Sequence, residues 1–233
     1  VPVPVAPLLD AGYLRSRAGA ISDQRSMYRA TAGDLNERAD SSIAPLAPEY
    51  PATTHLSVVD SSGDAVALTS SIEDAFGSRI MAAGFLLNNQ LTDFAFVPER
   101  DGALVANRVE AGKRPLSSMA PTMVFDASGD LYAVLGSPGG SRIINYVAKT
   151  VVALIDWGLK AGSAVAFAHF GSRNGPTELE KGTVVEKLRP RLEALGHDVS
   201  VQEMTSGLHL IVRGDGGWMG AADPRREGAA IGE

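Results

Sequence analysis

The sequence contains no cysteine. Disulfides, thiolate-bound metal and a cysteine nucleophile are excluded, although the compartment is not fixed by that absence. There is no long run of Lys or Arg, and the formal net charge is −6. Nucleic acid is thereby excluded as a partner, because neutralising phosphates needs clustered cations. No apolar run suits a bilayer span: the most apolar one, IINYVAKTVVALIDWGL at 143–159, is broken by Lys149 and Asp156. His55, His169, His197 and His209 lack HExxH-like spacing and read as hydrogen-bonded or surface residues, so no metal is expected. The first residues have no basic stretch followed by an apolar one, so they do not read as a signal peptide. With no initiator Met, the chain is expected to be a piece of something longer.

What is present is an ordinary globular balance. The chain has 233 residues, 45% hydrophobic and 21% charged, enough for one large domain or two small ones. Residues 8–22 predict a short helix, with Leu8, Leu9, Tyr13, Leu14 and Ile21 sharing a face. Residues 31–52 hold Gly, Asn, Asp, Ser and prolines without a sustained period and read as a linker or exposed loop. The period then becomes two. HLSVVD and AVALTSSI, joined by SSGD, predict a hairpin over 55–72. GFLLNNQLTDF reads as a strand running into a loop, and 99–115 as a long surface loop of the kind that often forms a lid. PTMVFD, ASGD and LYAVLGS predict a second hairpin. Helices are expected near 142–157 and 183–195, the second ending at Gly196 and feeding a strand, and a last hairpin in the tail. Trp157 and Trp218 are assigned to packing. Hairpins with helices between and after them argue an α+β fold with antiparallel sheet rather than alternating βαβ units.

Four places can carry chemistry. Thr53 and Thr54 with His55 stand where the irregular segment meets the first strand. A threonine hydroxyl is a poor nucleophile without an adjacent base. A chain-terminal Thr supplies that base itself, through an α-amine of pKa ~7.7–8.0. The nucleophile reading therefore demands cleavage between Ala52 and Thr53; the competing reading is an ordinary β-branched strand. GSPGGSR at 136–142 lies between a strand and a helix. Its glycines can turn two backbone N–H groups to one spot, as an oxyanion hole, a phosphate nest or simply a tight turn. It matches neither a P-loop nor a dinucleotide fingerprint. In KRPLSSMAP, Ser117 and Ser118 can donate to a carboxylate or make a polar turn. In NNQLTDF, Gln90 and Asp93 lie near a strand end, where Asp93 can meet an ammonium group or serve a turn.

Taken in order, TTHLSVVD, FGSRIMAAGFLLNNQLTDF, KRPLSSMAPTMVF and GSPGGSRIINYVAKTVVALIDWGL resemble the small subunit of γ-glutamyltranspeptidases, the glutathione hydrolases. The resemblance runs from Thr53 to the ADPRREG tail, and residues 1–52 resemble the end of the large subunit. It implies an N-terminal nucleophile hydrolase fold, a four-layer αββα sandwich, only part of which lies in this chain. It also implies autocleavage into two subunits that stay together, a periplasmic or secreted location, and no cofactor. By matching motifs, Thr53 becomes the nucleophile and Gly139 and Gly140 the oxyanion hole. Ser117 and Ser118 would bind the α-carboxylate of a γ-glutamyl donor, and Gln90 and Asp93 its α-amine. Water or an amino acid would accept the acyl group. The family's arginine for that carboxylate lies in the large subunit.

The sequence departs from the family pattern in three ways. The threonine that supports the nucleophile is replaced by Ser71, which keeps the hydroxyl. Two residues on, Glu73 stands where many members have Asn, adding a carboxylate to the amine site. The loop 95–116 carries no Tyr or Trp, so a full aromatic lid is not expected. SSIEDAFG also resembles a branch containing cephalosporin acylases, which keeps a glutaryl donor open. A third possibility is a catalytically inert fragment.

Overall fold

The computed structural model describes residues 3–35 and 52–232. Two helices open the chain, α1 (Val5–Leu8) and α2 (Ala11–Ala18). Strands β1 (Thr53–Val59), β2 (Ala65–Ser71), β3 (Met81–Ala82), β4 (Phe85–Leu86), β5 (Glu99–Arg100) and β6 (Ala103–Leu104) come next. Then come β7 (Thr122–Phe125), β8 (Leu131–Gly136), α3 (Ile143–Ile155), α4 (Ala161–Ala166), β9 (Phe170–Ser172) and β10 (Thr177–Glu180). Helix α5 (Arg189–Ala194) and strands β11 (Val199–Gln202), β12 (His209–Gly214) and β13 (Gly217–Ala222) complete the order. These elements form two compact units interleaved along the chain. One comprises residues 3–35, 91–116 and 172–202; the other comprises 52–90, 117–171 and 203–232.

The second unit is layered. Strands β13-β12-β8-β7 make an antiparallel sheet in that order. Helix α3 buries Ile143, Tyr146, Val147, Thr150, Ala153 and Leu154, the three-and-four spacing of one helical face. That face and Ala161, Ala164 and Val165 pack on Ala133, Leu135, Leu210 and Val212 of the sheet. Each large side chain buried there contributes about 1.5–3 kcal/mol. On the other side of the sheet lies the β1-β2 hairpin, in antiparallel register from Thr53↔Ser71 to Val59↔Ala65. Its inward residues include the buried His55, while Leu56, Val58, Val66 and Leu68 on its outer side are exposed. Helix layer, sheet and hairpin thus stack as part of a mixed α+β sandwich.

The hairpin crosses β8 at Gly136. A Cβ there would overlap the His55 imidazole. That ring is itself fixed, Nδ1 to Thr69 Oγ1 (2.8 Å) and Nε2 to Ser57 Oγ (3.1 Å). His209 Nδ1 donates to the His55 carbonyl (2.6 Å), tying β12 to β1. Gly136→Ala is therefore expected to destabilise the fold by roughly 2–3 kcal/mol, the cost of overpacking a closed core. A urea midpoint unchanged from the parent would show that the crossing is not close packed.

In the other unit β10 and β11 pair in parallel. The expectation of antiparallel pairing without βαβ units is corrected here: the connection between them carries the helical turns. The single helix expected at 183–195 is a 3-10 stretch, Val184–Leu188, followed by α5. Pro190 has no N–H to bond back to the preceding turn, so the helix restarts around it. The helix expected over 8–22 is likewise two pieces. Asp10 is extended and its side chain accepts from Tyr13 N–H (2.8 Å), so it caps a new helix instead of continuing the first. The loop expected at 99–115 begins as a hairpin, because Asp101 and Gly102 both take positive φ. The strand expected after Gly84 is only two residues long, paired with β3. Of the linker reading for 31–52, residues 36–51 lie outside the described residues. The packing assignment of the tryptophans holds only in part: Trp157 packs its ring against Phe167, and both Trp157 and Trp218 stay exposed, at 46% and 38%. Among the described residues no helix is long and apolar enough to cross a membrane.

Candidate active site

The hairpin register places Thr53 opposite Ser71. Thr53 Oγ1 donates to Ser71 Oγ at 2.9 Å. Ser71 Oγ also accepts from the Glu73 N–H at 2.9 Å and donates toward the Ala52 carbonyl at 3.4 Å. The Ile72 N–H reaches the same carbonyl at 3.3 Å. The carbonyl joining Ala52 to Thr53 thus faces one hydroxyl and one amide donor, with a second hydroxyl on the residue it acylates. Such an arrangement can stabilise negative charge on that oxygen.

Ser71 ends its strand because the chain turns at Glu73, whose φ is +73°. Asn89 holds the turn. Its Nδ2 donates to the Glu73 carboxylate, its Oδ1 accepts from Asp74 N–H (3.0 Å), and its own N–H bonds Ile72 O (3.2 Å). Sequence reasoning missed Asn89. Its only signal was the Asn pair before Gln90. Gln90 follows directly, half-buried, its N–H on Asn88 Oδ1 at 3.1 Å. Thr53, Ser71, Glu73, Asn89 and Gln90 therefore share one corner.

The other expected residues have contacts of their own. Ser117 Oγ accepts from Met119 N–H (3.1 Å), and Ser118 is half-buried beside it on the approach to β7; both lie apart from the corner's hydrogen bonds. Asp93 belongs to the other compact unit, where its carbonyl accepts from Asn107 Nδ2 (2.7 Å).

Gly139 and Gly140 sit between β8 and α3 with φ of +137° and +54°. Only glycine takes such a pair without strain. A Cβ on Gly139 would also come within 2.6 Å of the Tyr146 ring, so the loop rests directly on α3. Thr53 is two residues, and Gly139 three, from the crossing of His55 on Gly136. Burial, and then the charge His209 can carry, hold His55 at a pKa of about 4, so it is neutral at pH 7 and a structural member of the crossing. His197 bonds Thr177 Oγ1 (2.9 Å), and His169 is buried in a polar chain described below. Among the described residues no group of His, Asp and Glu could hold a metal ion.

The family model for γ-glutamyltranspeptidase matches residues 1–233. The glutathione hydrolase proenzyme of Escherichia coli is 42% identical over 97% of this chain. This chain spans 39% of that relative's length. In solved structures, a threonine-to-alanine mutant of Helicobacter pylori γ-glutamyltranspeptidase superposes with a TM-score of 0.67 at 34% identity. It covers 74% of this chain and 100% of its own. A cephalosporin acylase from Bacillus halodurans superposes with a TM-score of 0.75 at 21% identity, covering 97% of this chain and 39% of its own, and so shares the fold. Helix layer, sheet and hairpin, with a threonine heading the first strand, are part of the N-terminal nucleophile hydrolase fold. Within that class, the chain belongs to the γ-glutamyltranspeptidase family.

Proposed function

We propose that residues 53–233 are the small, catalytic subunit of a γ-glutamyl acyltransferase and hydrolase, and that residues 1–52 are the end of its large subunit. The observation that carries this reading is the Thr53–Ser71 hydroxyl pair set against the Ala52 carbonyl. Maturation would begin when Thr53 Oγ1 attacks the Ala52 carbonyl carbon. Ser71 and the Ile72 N–H face the oxygen that becomes negative. The C–N bond then breaks, the hydroxyl proton ends on the freed nitrogen, and an ester remains. Water hydrolyses it, releasing an Ala52 carboxylate and a Thr53 with a free amine. The proenzyme name of the E. coli relative supports a cut precursor. The exposed apolar outer side of β1-β2 supports a large-subunit partner.

In turnover the Thr53 amine would take the hydroxyl proton as Oγ1 attacks the γ-carbonyl of glutathione or a related donor. The amides of Gly139 and Gly140 would hold the oxyanion. The leaving amine departs with a proton, and water or an amino-acid amine then releases the γ-glutamyl group. In the donor's head group, Ser117 and Ser118 would meet the α-carboxylate, and Glu73, Gln90 and Asp93 the α-ammonium, as the family resemblance assigns them.

Donor choice tests this reading against the glutaryl acylase. A glutaryl donor has no ammonium and would leave the acidic groups partly desolvated, at about 1–3 kcal/mol. A preference of roughly 10- to 100-fold for γ-glutamyl over glutaryl p-nitroanilide is expected in kcat/KM. Asp93→Ala should erase much of it by slowing only the γ-glutamyl reaction. Equal rates, or a glutaryl preference in the unmodified enzyme, would promote the acylase reading instead.

A further inference from the structure

Beneath the glycine loop runs a buried polar chain that the reaction as written does not use. Lys149, His169, Ser206 and Asp223 are all buried. Lys149 Nζ lies 3.1 Å from His169 Nδ1 and donates to Phe167 O at 2.8 Å. His169 Nε2 lies 2.6 Å from Ser206 Oγ, and Ser206 donates to the Asp223 carboxylate. Arg225 closes the chain on Asp223 (3.0 Å) and reaches the carbonyls of Val165 and Phe167, each at 3.1 Å. An ammonium has no acceptor, so Nδ1 must accept from Lys149, and Nε2 then carries the hydrogen toward Ser206. Every bond therefore has one direction, from the ammonium to the carboxylate. Burial, with the charges of Lys149 and Arg225, pushes the His169 pKa down to about 2, consistent with this neutral tautomer.

Two supports of the glycine loop meet on this chain. From below, the Tyr146 ring fills the space at Gly139, and the same ring lies against the His169 ring, 4.1 Å away between centroids. From the side, Gly207 N–H bonds Ser137 Oγ (3.4 Å), and Ser137 donates to the Pro138 carbonyl (2.6 Å). Gly207 packs so closely on Pro138 that a Cβ would lie 2.7 Å from its Cγ. Gly207 is the residue after Ser206. One support thus ends on the His169 ring and the other on its Nε2.

We propose that His169 and Ser206 are positioning residues for the oxyanion loop, setting where the Gly139 and Gly140 amides point. This rests on those amides being the oxyanion hole. The chain acts through Tyr146 below the loop and through Gly207 and Ser137 beside it. A satisfied polar core alone would need the same bonds, but it would not make oxyanion binding depend on them. A shift of the amides by a fraction of an ångström weakens a tetrahedral oxyanion more than a planar ligand, because preorganised donors are set for the former.

The test uses the complete, matured enzyme with Ser206→Ala and, separately, His169→Gln, which keeps a donor and an acceptor. The probe is the analogue of glutamine with a boronic acid in place of its γ-carboxamide, which forms a tetrahedral adduct with a hydroxyl. L-Glutamate is the planar competitor. Boronate affinity is expected to fall about 10-fold or more in Ser206→Ala, with L-glutamate affinity within about twofold and kcat falling more than KM rises. Should Ser206→Ala fail to mature, His169→Gln decides by the same ratio. Equal losses for the two ligands, or no loss for either, overturn the positioning role. If the unmodified enzyme binds the boronate no tighter than L-glutamate, the oxyanion reading itself fails, an outcome visible before any variant is compared.

Discussion

Thr53→Ala leaves the complete precursor as one uncut chain and lowers acyl transfer by on the order of 10⁴-fold or more, as loss of a nucleophile does elsewhere. The cause lies in the bond between Ala52 and Thr53. Its carbonyl already meets Ser71 Oγ and the Ile72 N–H, and the attacking hydroxyl belongs to the next residue. Alanine removes that hydroxyl and leaves the strand register and both donors in place. The variant should therefore fold with the hairpin intact and simply fail to split. Denaturing gel electrophoresis after expression reads the result. Two bands, with the shorter chain beginning at residue 53, would mean that an outside protease makes the cut.

Ser71→Ala produces the second largest effect, a loss of about 10²-fold in both maturation and acylation. Ser71 Oγ has three partners: Thr53 Oγ1, the Glu73 N–H and the Ala52 carbonyl. The methyl of alanine keeps the backbone pairing with Thr53 but none of these bonds. The threonine hydroxyl would then be free to rotate, and the Ala52 oxygen would keep only the Ile72 N–H. Donor KM should move less than kcat, because the lost contacts act on reacting atoms. Single-turnover acylation measures this directly, and a rate equal to the parent's would remove Ser71 from the machinery. Ser71→Thr, which keeps the hydroxyl and adds one methyl, should retain most of the activity.

The three hairpins and α3 were legible because their signals are local. Alternation over HLSVVD and AVALTSSI needs no knowledge of the rest of the chain, and α3 repeats its apolar residues at three and four. Position 53 was legible as a junction for the same reason: period two begins there. What remained hidden depends on distant residues. Gly136 is read from sequence as one glycine in a turn, and its need to be glycine comes from His55, 81 positions away. Asn89 looks like a turn residue until the fold brings it to Glu73 and Asp74. His169 and Ser206 are 37 positions apart and meet only when α3, the segment after α4 and the strand-leading loop converge. The strand after Gly196 was legible as VSVQ, but its parallel pairing with β10 was missed, because two four-residue strands carry no local signal of partner or direction. Pro190 offered a local signal for the broken helix, yet its charged and apolar spacing fits a continuous one equally well.

The central claim is that Thr53 becomes a free N-terminus and carries the acyl group. Mass analysis of the matured, full protein, quenched in acid during turnover of a γ-glutamyl donor, tests it most directly. The expected result is a chain beginning at Thr53 that gains one γ-glutamyl group, with peptide fragmentation placing the group on residue 53. A chain that begins elsewhere, or an acyl group on another residue, would contradict it.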